Sequence, residues 1–220
     1  SNIAKKMLEQ GYEVYATCRS TSSFEKCIDF KHKINWVNLE SSNWKEQIIK
    51  INLEQLIHTA WGGIEAGDRN NWDLQIRNFW FSKVIFDLAK ECEIKKVISL
   101  GSQAEYGTCS FPSNETTPAF PNDAYGSVKI LTANYFGNLF KNSTIEWYWI
   151  RIYSVFGEGE NDQWLIPTVI SKLLNNETIP LTLCEQEYNY MYIKDLVLAK
   201  SLGQIFSSFC RKQIVCNLMN

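Results

Sequence analysis

Apolar residues recur along the chain at two spacings, and the spacing switches repeatedly. Ile3, Ala4, Met7 and Leu8 form a helical stripe over residues 1–10, closed by Gly11. Residues 12–18 (YEVYATC) and 34–39 alternate as strands, and residues 44–51 follow as a helix. Residues 55–60 (QLIHTA) form a strongly apolar strand, ahead of a long amphipathic helix over 71–92 and a strand over 96–100 (KVISL). Pro118 and Pro121 punctuate a loop before a helix over 124–140, and residues 144–153 (TIEWYWIRIY) give a further strand. Short apolar strands alternating with helices of this length predict an α/β fold, a parallel sheet with helices on both faces.

After Val155 the pattern changes. Gly157, Gly159, Pro167 and Pro180 interrupt shorter segments, so a smaller and less regular lobe is expected over residues 155–220, behind a first domain of residues 1–154. A doubly wound nucleotide fold opens with a strand and a Gly-rich turn. This sequence opens on the helix that should follow them.

Composition narrows the class. The 220 residues are 45% hydrophobic and include eight Trp, ten Tyr and twelve Phe, which excludes a disordered chain and supplies a core for one domain or one and a half. A net charge of −2 without a basic block argues against nucleic acid or an anionic membrane as partner. No apolar run approaches the roughly 18 residues that a membrane span needs, and the first residues carry no signal-peptide pattern. Seven cysteines without a C-x-x-C pair, and only two histidines, predict no metal site. Reduced thiols in a cytoplasmic protein are the expectation.

The sharpest chemical signal is Y-G-S-V-K at residues 125–129. At i, i+4 on a helix the Tyr125 phenol and Lys129 ammonium share a face, and a neighbouring cation favours phenolate, so Tyr125 is expected to exchange a proton. Ser102 is expected just beyond the carboxyl end of the 96–100 strand, the edge at which open parallel sheets bind ligands. There it is placed to hydrogen-bond the substrate oxygen that Tyr125 protonates.

With these residues in place the chain resembles the extended short-chain dehydrogenase/reductases, the nucleotide-sugar epimerase/dehydratase family. Residues 1–14 resemble the helix that follows the family's phosphate-binding glycines. Residues 56–62 (LIHTAWG) resemble its H-x-A-[AG] strand end, Ser102 with Tyr106 and Gly107 its S-x-x-x-Y-G element, residues 151–157 its R-x-F-N-V-Y-G, and residues 190–197 its D-F-[IV]-Y-V-x-D-V. The resemblance implies a Rossmann-type doubly wound sheet with a smaller, partly missing C-terminal substrate lobe. The first strand, the glycine loop and a tail are then absent from this sequence.

The same resemblance implies a catalytic set of Ser102, Tyr125 and Lys129. Lys129 lowers the Tyr125 pKa and binds the nicotinamide ribose. Arg19, Ser20, Asn38, Leu39, Thr59, Ala60, Trp61, Gly62, Asn78 and Tyr153, with Tyr125 and Lys129, would hold the dinucleotide. Gln103, Ser154 and Tyr188, with Ser102 and Tyr125, would face the substrate. The family's acidic ribose-binding residue is replaced by Cys18, followed by Arg19, whose guanidinium can pair with a 2′-phosphate, so NADP is preferred over NAD.

Gln103 and Ala104 stand where the 4,6-dehydratases carry Asp-Glu, and neither can exchange a proton, which disfavours dehydration. Glu105 reads as a loop carboxylate, His58 as a core histidine, and Trp72 and Trp80 as packing. The expected activity is reduction of a nucleotide-linked 4-keto-6-deoxy sugar. The alternatives are a NAD-retaining 4-epimerase and a non-catalytic dinucleotide-binding pseudoenzyme. A homodimer through the 71–92 and 124–140 helices is implied by the resemblance alone.

Overall fold

The computed structural model describes residues 1–109, 112–185, 188–198 and 213–217. Helix α1 (Asn2–Glu9) buries Ala4 and Met7, the inner stripe of its pattern. It leads into β1 (Glu13–Cys18), whose Val14, Ala16 and Thr17 are buried. Strand β2 (Ile34–Asn38) pairs parallel to β1, with Cys18 opposite Asn38, and α2 (Trp44–Ile51) follows. All four residues of β3 (Gln55–His58) are buried, as expected of a strand covered on both faces.

Helix α3 (Trp72–Glu91) starts where the Asn71 side chain accepts the Leu74 N–H, and α4 (Ala124–Phe140) starts where Asp123 accepts that of Gly126. Between them β4 (Lys96–Ser102) pairs parallel with β5 (Glu146–Ile152). The sheet order is β2-β1-β8-β3-β4-β5, all pairs parallel, with β8 formed by Gln213–Asn217.

The core lies where α3 and α4 pack against the sheet. Phe136 is fully buried and meets Phe86, Phe140, Trp147 and Trp149 edge-on or tilted, the arrangement that ring quadrupoles favour. One compact unit comprises Ile3–Ile152 with β8, and the other begins at Tyr153. In the second, β6 (Ser154–Phe156) pairs parallel with β7 (Tyr190–Tyr192), accompanied by α5 (Leu165–Leu174) and α6 (Ile193–Leu198).

Three expectations are corrected. Strand β4 runs two residues further than its apolar pattern, because Gly101 and Ser102 continue the ladder opposite Arg151 and Ile152. Ser102 is therefore the last residue of the strand. Residues 213–217 belong to the first unit's sheet, between β1 and β3 where a doubly wound fold has its first strand, and not to the smaller lobe. Trp72 and Trp80 are not packed inside: both are more than half exposed, because the inner face of α3 is taken by Gln75, Asn78, Ser82, Ile85 and Phe86.

Candidate active site

Where β4 ends, the chain turns through a short 3-10 segment, Gln103–Glu105. The Ser102 hydroxyl accepts the Ala104 N–H (3.2 Å), while Glu105 reaches back to accept the Ser102 N–H (2.8 Å), a reciprocal capping box. The first turn of α4 lies directly against this segment. Gly126 makes the approach possible, since a Cβ there would fall 2.4 Å from the Ala104 carbonyl oxygen. Tyr125 and Lys129, one turn apart on α4, are thereby brought to the carboxyl edge of β4. The Ser102 hydroxyl comes near enough to the Tyr125 phenol to pull its pKa down, and the Lys129 Nζ donates to the Leu100 carbonyl (2.8 Å). The expected trio converges.

The electrostatics differ from expectation. Burial raises the Tyr125 phenol above its ordinary pKa, and what pulls it back is the nearby Ser102 hydroxyl and the Arg69 guanidinium. Arg69 stands 4.8 Å from the Tyr125 ring, held there by Asp123 (2.8 Å), and its carbonyl accepts the Tyr125 N–H (2.9 Å). Arg69 is thus a second cation at the phenol, beside Lys129, whose Nζ lies 5.8 Å from the Tyr125 ring centre. The ammonium is turned to the Leu100 carbonyl and to the face of Trp61, whose ring centre is 3.7 Å away. Burial brings Lys129 down to about 7, with Glu105 opposing the fall. The indole face also favours the charged form.

Trp61 is held in place from α3. Its indole N–H donates to the fully buried Gln75 (2.9 Å), whose amide donates to the Gly63 carbonyl (2.8 Å). Asn78 clamps Gly62 from both sides, accepting its N–H (3.0 Å) and donating to its carbonyl (2.8 Å). Thr59 and Ala60 lie between this clamp and the end of β3. His58 bonds Ser82 (2.8 Å) and is pushed by burial to about 3, so it stays neutral, a core histidine as expected.

At the far end of the same sheet edge, Arg19 and Ser20 follow β1, while Asn38 and Leu39 lie at the end of β2. Glu40 sits between them, accepting the Ser20 N–H (3.0 Å), with the nearby Arg19 guanidinium helping to hold its carboxyl below the ordinary range. Gln103 lies in the turn beside Ser102. Tyr153, Ser154 and Tyr188 belong to the second unit, where Ser154 opens β6 opposite Tyr190 and the Tyr188 ring tilts against that of Tyr190 (5.8 Å).

Sequence reasoning missed Arg69, Gln75, Glu40 and Glu105. Only Glu105 carried a readable signal, the S-x-x-E spacing of a capping box. Among the described residues no cluster of His, Cys, Asp and Glu could hold a metal, and no helix is long and apolar enough to cross a membrane.

Comparison with known proteins follows this geometry. The model of the NAD dependent epimerase/dehydratase family matches residues 1–202. A dTDP-4-dehydro-6-deoxyglucose reductase of Escherichia coli is 28% identical over 180 residues, covering 75% of this chain and 56% of the relative. A CDP-abequose synthase of Salmonella muenchen is 40% identical over 50 residues, 23% of this chain and 17% of the relative. The chain therefore spans little more than half the length of the first of these curated relatives. Among solved structures, a UDP-glucose 4-epimerase of Thermotoga maritima with UDP-glucose superposes at a TM-score of 0.75 and 18% identity, over 98% of this chain and 72% of the other. A UDP-N-acetylglucosamine 4-epimerase from Methanobrevibacter ruminantium gives 0.72 and 21%, over 94% and 76%. At those identities the likeness establishes the fold.

The buried ammonium has a consequence for stability. Because Lys129 titrates at about 7 in the fold and at the ordinary 10.5 when exposed, the unfolded chain binds the extra proton between those values. Stability linked to this group therefore rises with pH across that window, and the burial penalty is complete below it. Lys129→Met is expected to increase the unfolding free energy at about pH 6 by roughly 2–4 kcal/mol, a gain that shrinks toward pH 10. Urea unfolding at the two pH values checks this; an equal gain at both contradicts it.

Proposed function

The chain belongs to the NAD-dependent epimerase/dehydratase family, and from that premise we propose that it is a nicotinamide-dinucleotide oxidoreductase acting on a nucleotide-linked sugar, reducing the keto carbon of a 4-keto-6-deoxy sugar. The observation that carries the reading is the placing of Tyr125 and the buried Lys129, one turn apart on α4, at the carboxyl edge of the sheet where β4 ends in Ser102, with Lys129 bonded to the Leu100 carbonyl. The name of the Escherichia coli relative, a reductase of a 4-dehydro-6-deoxy sugar, supports the choice of substrate.

A phenol held above its ordinary pKa is protonated at neutral pH and can act as a general acid. Tyr125 gives its proton to the carbonyl oxygen as that oxygen becomes an alkoxide, and the product is the secondary alcohol. Ser102 donates a hydrogen bond to the same oxygen and Arg69 stabilises the phenolate left behind. Dehydration lacks its proton carriers: Gln103 and Ala104 cannot exchange one, and Glu105 is committed to Arg151 and Trp149. From the second unit, Ser154 and Tyr188 are the substrate-side candidates.

The site's donors fit a nicotinamide dinucleotide. Among the described residues the Leu100 carbonyl is the one hydrogen-bond acceptor of the buried Lys129 ammonium, so its remaining hydrogens can serve a ribose diol. Thr59, Ala60, Trp61, Gly62, Asn78 and Tyr153 would hold the nicotinamide half, and Arg19, Ser20, Asn38 and Leu39 the adenosine half. The dinucleotide supplies the hydride when bound.

Arg19 supports NADP. One observation favours the second reading, a 4-epimerase that keeps NAD: the Glu40 carboxylate, bonded to Ser20, would repel a 2′-phosphate at the same corner. Free thiols at Cys18, Cys27, Cys92, Cys109 and Cys184 fit a cytoplasmic setting. Exposed Trp72 and Trp80 on α3 and Leu131 on α4 offer apolar surface for a homodimer.

Three outcomes are expected. Tyr125→Phe should lower turnover by about 10²–10⁴-fold with dinucleotide binding retained, and retained turnover removes the reductase and the epimerase together. In calorimetric titrations NADPH should bind more tightly than NADH, and Glu40→Gln should widen that difference; tight, slowly exchanging NAD(H) instead selects the epimerase. Sedimentation at micromolar concentration should give a dimer that Trp80→Lys weakens, whereas a wild-type monomer contradicts the assembly.

A further inference from the structure

Trp61 presents its ring face to a cation. The Lys129 Nζ stands 3.7 Å from the ring centre, and both residues are buried, at 9% and 5% exposure. The Tyr125 ring lies edge-on to the same indole, 6.1 Å away. One hydrogen of the ammonium goes to the Leu100 carbonyl (2.8 Å). The carboxylates of the site pair with other cations, Asp123 with Arg69 (2.8 Å) and Glu105 with Arg151 (2.6 Å). A buried charge without a carboxylate partner needs compensation from another source. An aromatic face supplies it, because the ring quadrupole is negative above the plane.

The indole is held at this angle from α3. Its N–H donates to the fully buried Gln75 (2.9 Å), whose oxygen also accepts from Asn78 (3.3 Å). The Gln75 amide nitrogen donates in turn to the Gly63 (2.8 Å) and Asp68 (3.3 Å) carbonyls. Gly63 lets the loop close on the helix: its backbone is left-handed (φ +67°), and a Cβ there would fall 2.4 Å from the Leu74 side chain. A side chain that only filled volume would need none of these partners, since an aliphatic residue has no N–H to satisfy. In the H-x-A-[AG] strand end that residues 58–61 resemble, the last position is small, and here it carries the largest side chain.

The titratable groups within electrostatic reach of the ammonium come from three elements. They are Tyr125 on its own helix, His58 of β3, which is neutral, and Glu105 of the turn after β4.

We infer that Trp61 is a positioning residue of the active site: its indole face stands in for a carboxylate partner, fixing the Lys129 ammonium at the carboxyl edge of the sheet and leaving its remaining hydrogen-bonding capacity to the dinucleotide's ribose. A π-face suits that place, because a carboxylate would compete with the ribose hydroxyls for the same hydrogens. The inference rests on the reading of Ser102, Tyr125 and Lys129 as the catalytic set.

The test separates the charge of the face from its shape. Replacing Trp61 alone by mono-, di- and trifluorotryptophan keeps the ring and its N–H and withdraws charge from the face in steps. Lysine labelled with 13C at Cε is followed by NMR, and the Lys129 signal is assigned by its loss in Lys129→Met. In the unsubstituted protein the Lys129 Hε protons should lie upfield of those of every other lysine, shifted by the ring against which they sit; an ordinary shift overturns the contact. Along the fluorinated series the titration midpoint, near 7, should fall stepwise, by about one unit in total. The same replacements at Trp72, more than half exposed on α3, should leave it unmoved. A midpoint constant across the series, or an equal fall for Trp72, overturns the inference.

In turnover at pH 7 the trifluoro form should lose about fivefold in kcat/KM for the dinucleotide, a loss that vanishes as the pH is lowered and Lys129 becomes an ammonium in both forms. A loss equal at every pH reduces Trp61 to packing and overturns the assignment. If Tyr125→Phe keeps its turnover, the enzymatic reading fails, while the ring-current shift and the midpoint still decide Trp61.

Discussion

An ammonium has to be buried beside a phenol, and most of what surrounds the carboxyl edge of β4 answers that requirement. Lys129 lies inside the packing of α4 against the sheet, where water does not compensate its charge, and its pKa falls to about 7 as a result. Three features hold it at that value. The Leu100 carbonyl accepts one of its hydrogens, the Trp61 face lies against it, and the Glu105 carboxylate acts from behind the Ser102 turn. At neutral pH the group stands close to its midpoint, so small changes in its surroundings change its charge.

Each of those features is itself held from another element. Trp61 is fixed by Gln75 of α3, and its loop by the Asn78 clamp on Gly62, so the long helix does more than cover the sheet. Glu105 is fixed by Trp149 and Arg151 of β5, the edge strand of the sheet. The backbone permits this crowding at Gly101 and Gly126, where a side chain would collide with the site. The phenol, by contrast, is relieved by Arg69 from a loop, with Asp123 steadying the guanidinium at the start of α4.

Much of the fold was legible. Helical stripes over 1–10, 71–92 and 124–140, and apolar strands at 12–18, 34–39 and 55–60, correspond closely to the elements observed, because long periodic segments bury one face wherever they are placed. Strand ends were less legible. Gly101 and Ser102 carry no β pattern, yet they extend β4 because Arg151 and Ile152 stand ready to pair. The tryptophans of α3 misled in the other direction: hydrophobic residues at helical spacing were read as core, whereas the inner face is taken by polar Gln75, Asn78 and Ser82. Those polar residues are buried because loop and strand groups beyond the helix satisfy them.

By itself the sequence determined the alternation of strands and helices, the pairing of Tyr125 with Lys129 on one helical face, and the proximity of Ser102 to a strand end. Periodicity and i, i+4 spacing are local properties, and a chain carries them before it folds. Only the tertiary structure decided the charges: that Arg69 stands beside the phenol, that Glu40 stands beside Ser20, and that Glu105 is a buried partner of Arg151, 46 positions away. A pKa follows from desolvation and from neighbours in space, and those neighbours come together only when β5, α4 and the loop before α3 close around the same edge.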